Sequence, residues 1–221
     1  YLFPYIGYYQ LVYASKTFIF YDDVSFIKNG YINRNNILAN GKAQRFTIPV
    51  PGSSSNKLIN QLSFEINIKK TLKSIQQSYR KAPYYNDVYP IVESVLISSN
   101  RNVAYLCAQS IMRVFEYLGL KRTFLSSSAL NFDKTLPAAA KLIEMAKLTH
   151  SQHYINSAGG KALYSKEYFA KHSLKLSFIE MDKLTYEQNA CNFVPHLSMI
   201  DVLMWNNKEQ VKQLLTQYRL V

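Results

Sequence analysis

Phe18-Ile19-Phe20-Tyr21-Asp22-Asp23 is a continuous apolar run that ends on two carboxylates. An unbroken apolar run of this length reads as a strand buried on both faces, as in parallel sheets. Asp22 and Asp23 then fall at the carboxyl end of the strand, where open α/β sheets hold their ligands. Upstream, Ile6, Tyr9, Gln10 and Tyr13 recur at helical spacing, so a loop passing into a short helix precedes the strand. Downstream, residues 31–50 read as two short strands around Ala39-Asn40-Gly41-Lys42, because Asn-Gly is a strong hairpin signal.

The remaining pattern alternates. Pro51-Gly52-Ser53-Ser54-Ser55-Asn56 is a loop, and Leu62, Phe64 and Ile66 alternate as a strand would. Ile68, Leu72, Ile75 and Tyr79 form one face of a helix that stops before Pro83. A further helix is expected over 84–97. Ala104, Cys107, Ala108, Ile111, Phe115 and Leu118 line another that ends at Gly119. Then come a short strand at Phe124-Leu125, a helix carrying Ala139, Leu142, Ile143 and Ala146, and a strand at Tyr154-Ile155. A helix from Gly160 to Lys171, a strand through Leu174, Leu176 and Phe178, and helices near 195–206 and 208–218 complete the chain. This order implies an α/β fold, a mostly parallel sheet flanked by helices with a β-hairpin insertion in the first third, in one domain spanning 1–221.

Composition bounds the function classes. The chain has 221 residues, 48% of them hydrophobic and 18% charged, enough to bury a sizeable core. The formal net charge is +12, yet Lys and Arg are scattered along the sequence rather than blocked, which argues against nucleic acid as the main partner. Small anionic substrates such as nucleotide sugars suit the same charge. Cys107 and Cys191 have no metal or disulfide spacing. His150 and His153 lack the carboxylate or cysteine neighbours of a zinc site and read as solvated surface histidines, so no metal ligand is assigned to them and metal dependence stays open. The sequence does not identify a cofactor. No apolar run reaches the ~18 residues of a membrane span and no secretory signal is visible, so a cytoplasmic location is expected. The chain starts at Tyr1 rather than Met, which leaves room for a short preceding piece.

Four groups of residues carry candidate chemistry. Asp22 and Asp23 suit a metal, a general base or ribose hydroxyls, or else simply close a strand; as neighbours on a strand they would face opposite sides. Asn33-Arg34-Asn35 offers two amides on one face and a guanidinium on the other, suited to hydroxyls or phosphate, with a polar edge strand as the alternative. Ser157-Ala158-Gly159-Gly160-Lys161 opens a helix after a strand, where exposed N–H groups favour anions and Lys161 reaches a phosphate; a plain tight turn is the other reading. Asp201 sits on an apolar stripe with Leu197, Ile200 and Met204, one turn from Ser198, so it is either a base with a perturbed pKa or a structural acid bonded to a backbone group or Arg34.

With these residues in place, the chain resembles the WbqC-like family. The resemblance runs through Phe3-Pro4-Tyr5-Ile6-Gly7-Tyr8, Tyr21-Asp22-Asp23-Val24, Lys28 with Asn33-Arg34-Asn35, and Phe46-Thr47-Ile48-Pro49-Val50. It continues in Tyr79-Arg80-Lys81-Ala82-Pro83-Tyr84, in Tyr154-Ile155-Asn156 with Gly159-Gly160, and in Phe193-Val194-Pro195 with Leu197-Ser198-Met199-Ile200-Asp201. Asn206-Asn207 stands where family members commonly have a glycine. The resemblance implies a cytoplasmic step in bacterial surface polysaccharide (O-antigen) biosynthesis: a transferase acting on a nucleotide-linked amino-sugar, by acyl or aminoacyl transfer. The element order is also similar to nucleotidyltransferase-like enzymes, without their paired histidines. On this reading Asp23 or Asp201 is the catalytic base. Tyr5, Tyr8, Asp22, Lys28, Asn33, Arg34, Asn35, Gly159, Gly160, Lys161 and Ser198 bind a nucleotide sugar or another anionic small molecule. The competing expectation is a non-catalytic binding or scaffold protein, or a basic nucleic-acid binder.

Overall fold

The computed structural model describes residues 1–221. Helix α1 (Ile6–Ala14) leads into strand β1 (Thr17–Phe20), and the hairpin β2 (Arg34–Ala39) and β3 (Lys42–Thr47) follows. Three helices come next: α2 (Lys69–Tyr79), α3 (Tyr85–Leu96) and α4 (Val103–Tyr117). Strand β4 (Thr123–Ser126), helix α5 (Ala138–Leu148), strand β5 (His153–Ser157), helix α6 (Lys166–Ala170) and strand β6 (Lys175–Met181) continue the alternation. Helices α7 (Met199–Trp205) and α8 (Lys208–Leu215) and a last strand β7 (Tyr218–Leu220) close the chain.

The strands form three small sheets, which corrects the expectation of one mostly parallel sheet. β1 runs parallel to β4, with Thr17 opposite Thr123 and Phe20 opposite Ser126. β5 runs parallel to β6, and β7 adds to β6 in the antiparallel sense. The hairpin β2–β3 stands alone, turning at Asn40 and Gly41, both with positive φ (52° and 71°), the backbone a two-residue hairpin loop requires. The reason for the difference is physical. Alternation of element types gives chain order, whereas which strand edges hydrogen-bond depends on long-range placement that periodicity does not carry.

β1 nonetheless joins two cores. Phe18 and Phe20 point into the larger cluster, built on α1 to α4, α7 and α8, while Ile19 and Tyr21 point into a smaller one on α5, α6, β5 and β6. Alternate side chains of one short strand thus serve opposite faces. Phe20 stacks on Phe124 of β4 at 5.6 Å, and Phe115 of α4 meets the same ring edge-on at 5.8 Å.

Three local expectations also change. Residues 62–66 form no strand of a sheet; Phe64 N–H bonds the Arg101 carbonyl (2.8 Å) and Val103 N–H the Leu62 carbonyl (2.9 Å), and Ile66 is left 77% exposed. The expected helix from Gly160 to Lys171 is broken into a 3-10 turn, Ala158–Ala162, and the short α6, which Ser165 caps through the Tyr168 N–H. The end of the chain, assigned to a helix through 218, leaves α8 at Leu215 and pairs with β6. Between β6 and α7, residues 182–197 form a crossing without a regular element, mostly exposed, that packs Leu184 and Tyr186 against the larger core.

Candidate active site at the ends of the parallel strands

The apolar run of β1 ends at Phe20, so Asp22 and Asp23 lie beyond the pleat. They are therefore not held to opposite faces, which corrects the expectation drawn from strand geometry. Both turn toward the 3-10 turn Ser127–Ala129 that follows β4. The Asp22 N–H donates to Ser127 Oγ (3.1 Å), and the one hydroxyl proton of Ser127 lies between Oδ1 of Asp22 (3.0 Å) and Oδ1 of Asp23. Ser128 donates to Asp22 twice, from N–H to Oδ1 (2.9 Å) and from Oγ to Oδ2 (2.7 Å). Asp23 Oδ2 pairs with Lys134 Nζ at 3.0 Å, and that ammonium sits 3.6 Å from the centre of the Phe132 ring.

Burial pushes the Asp23 carboxyl up, but the Ser127 hydroxyl and the Lys134 ammonium outweigh it and hold the group below the ordinary range. Two carboxylates, two serines and a lysine thus share the carboxyl ends of two parallel strands. The serines and Lys134 were not singled out from sequence. The signal that would have found the serines is the polar run Ser126-Ser127-Ser128 directly after Phe124-Leu125, the same apolar-then-polar switch that marks Asp22; nothing along the chain points to Lys134.

A cleft of about 310 Å³ opens beside Asp22. Phe20 and Phe124 form its aromatic floor, and Ala104, Tyr105 and Ala108 of α4 form its wall. The same face of α4 adds Gln109 and Met112 to the lining, so Ala104 and Ala108 are its two small positions. Asn102 fixes the wall: its side chain accepts the Tyr105 N–H (3.1 Å) and donates to the Asn60 carbonyl (2.6 Å), while Asn60 N–H bonds the Asp22 carbonyl (3.1 Å).

A second group of the sequence candidates gathers elsewhere, around Phe3. Phe3 has φ 41°, and its N–H donates to Ser110 Oγ of α4 (3.0 Å). Its carbonyl accepts from Asn35 Nδ2 (2.6 Å) and from Ser198 Oγ (2.7 Å). Asn33 donates to the Ile48 carbonyl (2.8 Å), so both buried amides serve backbone groups. Arg34, on the other face of β2, reaches Asn29 Oδ1 at 3.3 Å. Lys28 is exposed in the turn before β2.

Asp201 on α7 is 0% exposed. Its Oδ1 accepts the Tyr79 phenol (2.8 Å), and its Oδ2 accepts the Tyr186 phenol (2.9 Å) and Gln188 Nε2 (3.1 Å). The Tyr79 oxygen accepts the Leu38 N–H (2.9 Å), so β2, α2, α7 and the 182–197 crossing meet at one carboxyl. Burial pushes this carboxyl up against the three donors that favour its charge. Tyr5 is 40% exposed and stands edge-on to His196 at 6.0 Å, whereas Tyr8 turns inward against Phe18 and burial pushes its phenol up. Gly7 makes room for the Tyr5 ring: a β-carbon there would lie 2.5 Å from Tyr5 Cε2.

The third group stands at the end of β5. Gly159 and the buried Gly160 lie in the 3-10 turn, not at the start of a regular α-helix, and Lys161 is paired with Glu180 of β6, which also takes Arg219 Nε at 3.1 Å. Tyr21 packs with Tyr164 against the smaller core, and burial first, then Asp23 and Tyr164, raise its phenol. The candidates therefore do not share one site: Asp22 and Asp23 lie with β4, Asn35 and Ser198 on the Phe3 carbonyl, Asn33 on the Ile48 carbonyl, Asp201 with Tyr79 and Tyr186, and the glycine turn beside β6.

Comparison with known proteins bears on the family. One relative, "Uncharacterized protein Rv1507c" of Mycobacterium tuberculosis (strain ATCC 25618 / H37Rv), is 20% identical over 205 residues, covering 90% of this chain and 88% of its own length. No solved structure matches the chain. Residues 1–213 match the WbqC-like protein family, and the chain belongs to that family.

Proposed function

We propose that the protein binds a nucleotide-linked amino-sugar at the carboxyl ends of β1 and β4 and transfers an acyl or aminoacyl group to the sugar amine, a step suited to surface polysaccharide synthesis in the cytoplasm. The observation that carries this reading is the adjacency of the Asp22–Asp23–Ser127–Lys134 cluster to a cleft with an aromatic floor. A flat base fits against Phe20 and Phe124 under the alanines of α4, and such stacking suits any nucleobase. Asp22 has most of its acceptor sites filled by serine donors and retains room for a ribose hydroxyl. Lys134, partly exposed, offers a cation to phosphate. Asp23 takes the proton from the amine as its nitrogen attacks the acyl carbon and the leaving group departs. We assign the base to Asp23 rather than Asp201, because Asp201 has no surface open to a substrate. Tyr5, Lys28 and Arg34 keep exposed atoms that further ligand contacts would use.

The test is a titration of uridine- and thymidine-diphosphate sugars and of ATP, at millimolar ligand, followed by melting temperature. Binding raises the melting point as ligand exceeds its dissociation constant. Ala108→Phe, which fills the cleft, is expected to remove the shift. Unchanged melting with every nucleotide overturns the proposal.

A further inference from the structure

Helix α2 carries Lys69, Lys70 and Lys73, and Arg80 and Lys81 follow at its end, all five exposed. At 100° per residue Lys69, Lys70 and Lys73 fall within one third of the helix circumference, opposite the buried Ile75 and Tyr79, and Arg80 and Lys81 continue the basic run past the helix end. No acidic residue occurs from 66 to 86, and none of the five cations enters an ion pair. The nearest acid along the chain, Glu65, has its carboxylate turned onto the N–H groups of Ile66 (2.7 Å) and Asn67 (3.3 Å).

Two exposed aliphatic side chains stand at the amino end of this stripe. Ile66 is 77% exposed and Ile97, at the end of α3, is 59% exposed. One guanidinium holds their backbones together: Arg101 donates from Nη2 to the Glu65 carbonyl (2.7 Å) and from Nη1 to the Leu96 carbonyl. The preceding residue of each isoleucine is therefore bonded to the same side chain, which holds the two exposed isoleucines on neighbouring stretches of backbone.

We propose that this face, the α2 lysine stripe with Ile66 and Ile97 at its tip, docks the protein onto an anionic phospholipid surface. Lysines near such a surface gain from its negative potential, and aliphatic side chains enter the boundary between headgroups and acyl chains. Lysine acts as a mobile point charge that tolerates headgroups of any orientation, unlike the bidentate arginine fork suited to a defined phosphate. Paired isoleucines offer a nucleic acid neither a stacking ring nor a hydrogen bond, so lipid accounts for both halves of the patch and nucleic acid for only one. Docking is peripheral: no helix is long and apolar enough to cross a membrane.

The experiment is co-sedimentation of the full chain with vesicles of phosphatidylcholine alone or with about one third phosphatidylglycerol. Binding to the anionic vesicles only, weakened by high salt, is expected. The triple variant Lys69→Glu, Lys70→Glu, Lys73→Glu should reduce partitioning by more than about tenfold. Reversal of three exposed lysines near the smaller core, Lys166, Lys171 and Lys175, should leave most of the binding. Ile66→Ser with Ile97→Ser should weaken binding at unchanged melting temperature, since both side chains already face solvent. No binding to anionic vesicles, equal loss from the two triple reversals, indifference to the isoleucines, or stronger retention on RNA than on vesicles overturns the proposal.

Discussion

The phenol of Tyr79, the last residue of α2, donates to Oδ1 of Asp201 on α7 at 2.8 Å, and the same phenol oxygen accepts the Leu38 N–H of β2 at 2.9 Å. A relay of this kind joins three elements far apart in sequence through one buried carboxyl. Replacing Asp201 by Asn keeps an acceptor for Tyr79 but sets an amide N–H₂ against two further donors, Tyr186 and Gln188. The expected cost is about 1–3 kcal/mol in urea unfolding. The same variant should retain the melting shift that the proposed nucleotide binding predicts; a shift present in the parent and lost here at unchanged stability would instead make Asp201 part of the binding site.

The Asp201 carboxyl also predicts a pH dependence. Burial raises its pKa above the unfolded value, so the native state binds more protons than the unfolded chain between the two. Its contribution is full below the unfolded carboxylate value of about 3.9 and is lost as pH rises through the folded value. Asp201→Asn should remove that part of the slope. Urea melts from pH 4 upward, in about half-unit steps, compare the two proteins, and parallel curves would show that the carboxyl does not titrate differently on folding.

Asp23 has the opposite sign. Its pKa is lowered in the fold, so its contribution is full above the unfolded value and falls away as pH drops through the folded one. Lys134 is 40% exposed, so solvent screens the pair and Lys134→Met should cost no more than about 0.5–1 kcal/mol. The sharper readout is the Asp23 carboxyl itself, whose titration by carbon NMR should move upward in the variant. An unmoved titration would leave the Ser127 hydroxyl as the group that holds Asp23 ionised.

Much of this architecture is readable in the residues, for definite reasons. Ile75 and Tyr79, or Ile111 and Phe115, repeat with the helix period and are buried as that period requires. Asn40-Gly41 specifies a turn that few other pairs adopt. The site is less legible because its partners are distant in sequence: Ser127 approaches Asp22 and Asp23 only once β4 lies beside β1, and Tyr79 reaches Asp201 across 122 positions. Asn33 and Asn35 show a further reason. An amide that binds ligand and one that satisfies a backbone carbonyl have the same sequence signature, and only the carbonyls of Ile48 and Phe3, which accept from Asn33 and Asn35, distinguish them. Glu180 likewise gives no sign along the chain that it faces Lys161.

Tyr5 and Gly7 make the aromatic motif testable. In Gly7→Ala the new β-carbon meets the Tyr5 ring at 2.5 Å, and because that ring is 40% exposed it can swing outward and leave His196. The stability cost is then set by the lost ring contact and should be about 0.5–1.5 kcal/mol in thermal or urea unfolding. The His196 imidazole proton resonances should shift with it. If His196 is unmoved, the helix rather than the ring has yielded.

The last prediction concerns Phe3, whose carbonyl accepts both Asn35 Nδ2 and Ser198 Oγ. Either donor alone keeps this buried acceptor satisfied, so Asn35→Ala and Ser198→Ala should each cost about 1–2 kcal/mol, part of it at Ser198 from the lost cap on the Ile200 N–H. Removing both leaves the carbonyl without a side-chain donor, and the double variant should lose about 1 kcal/mol more than the sum of the single losses. A double-mutant cycle in urea measures that excess directly. Strict additivity would mean that water enters and replaces the missing donors, and the strained backbone at Phe3 would then be held by Ser110 rather than by the paired side chains on its carbonyl.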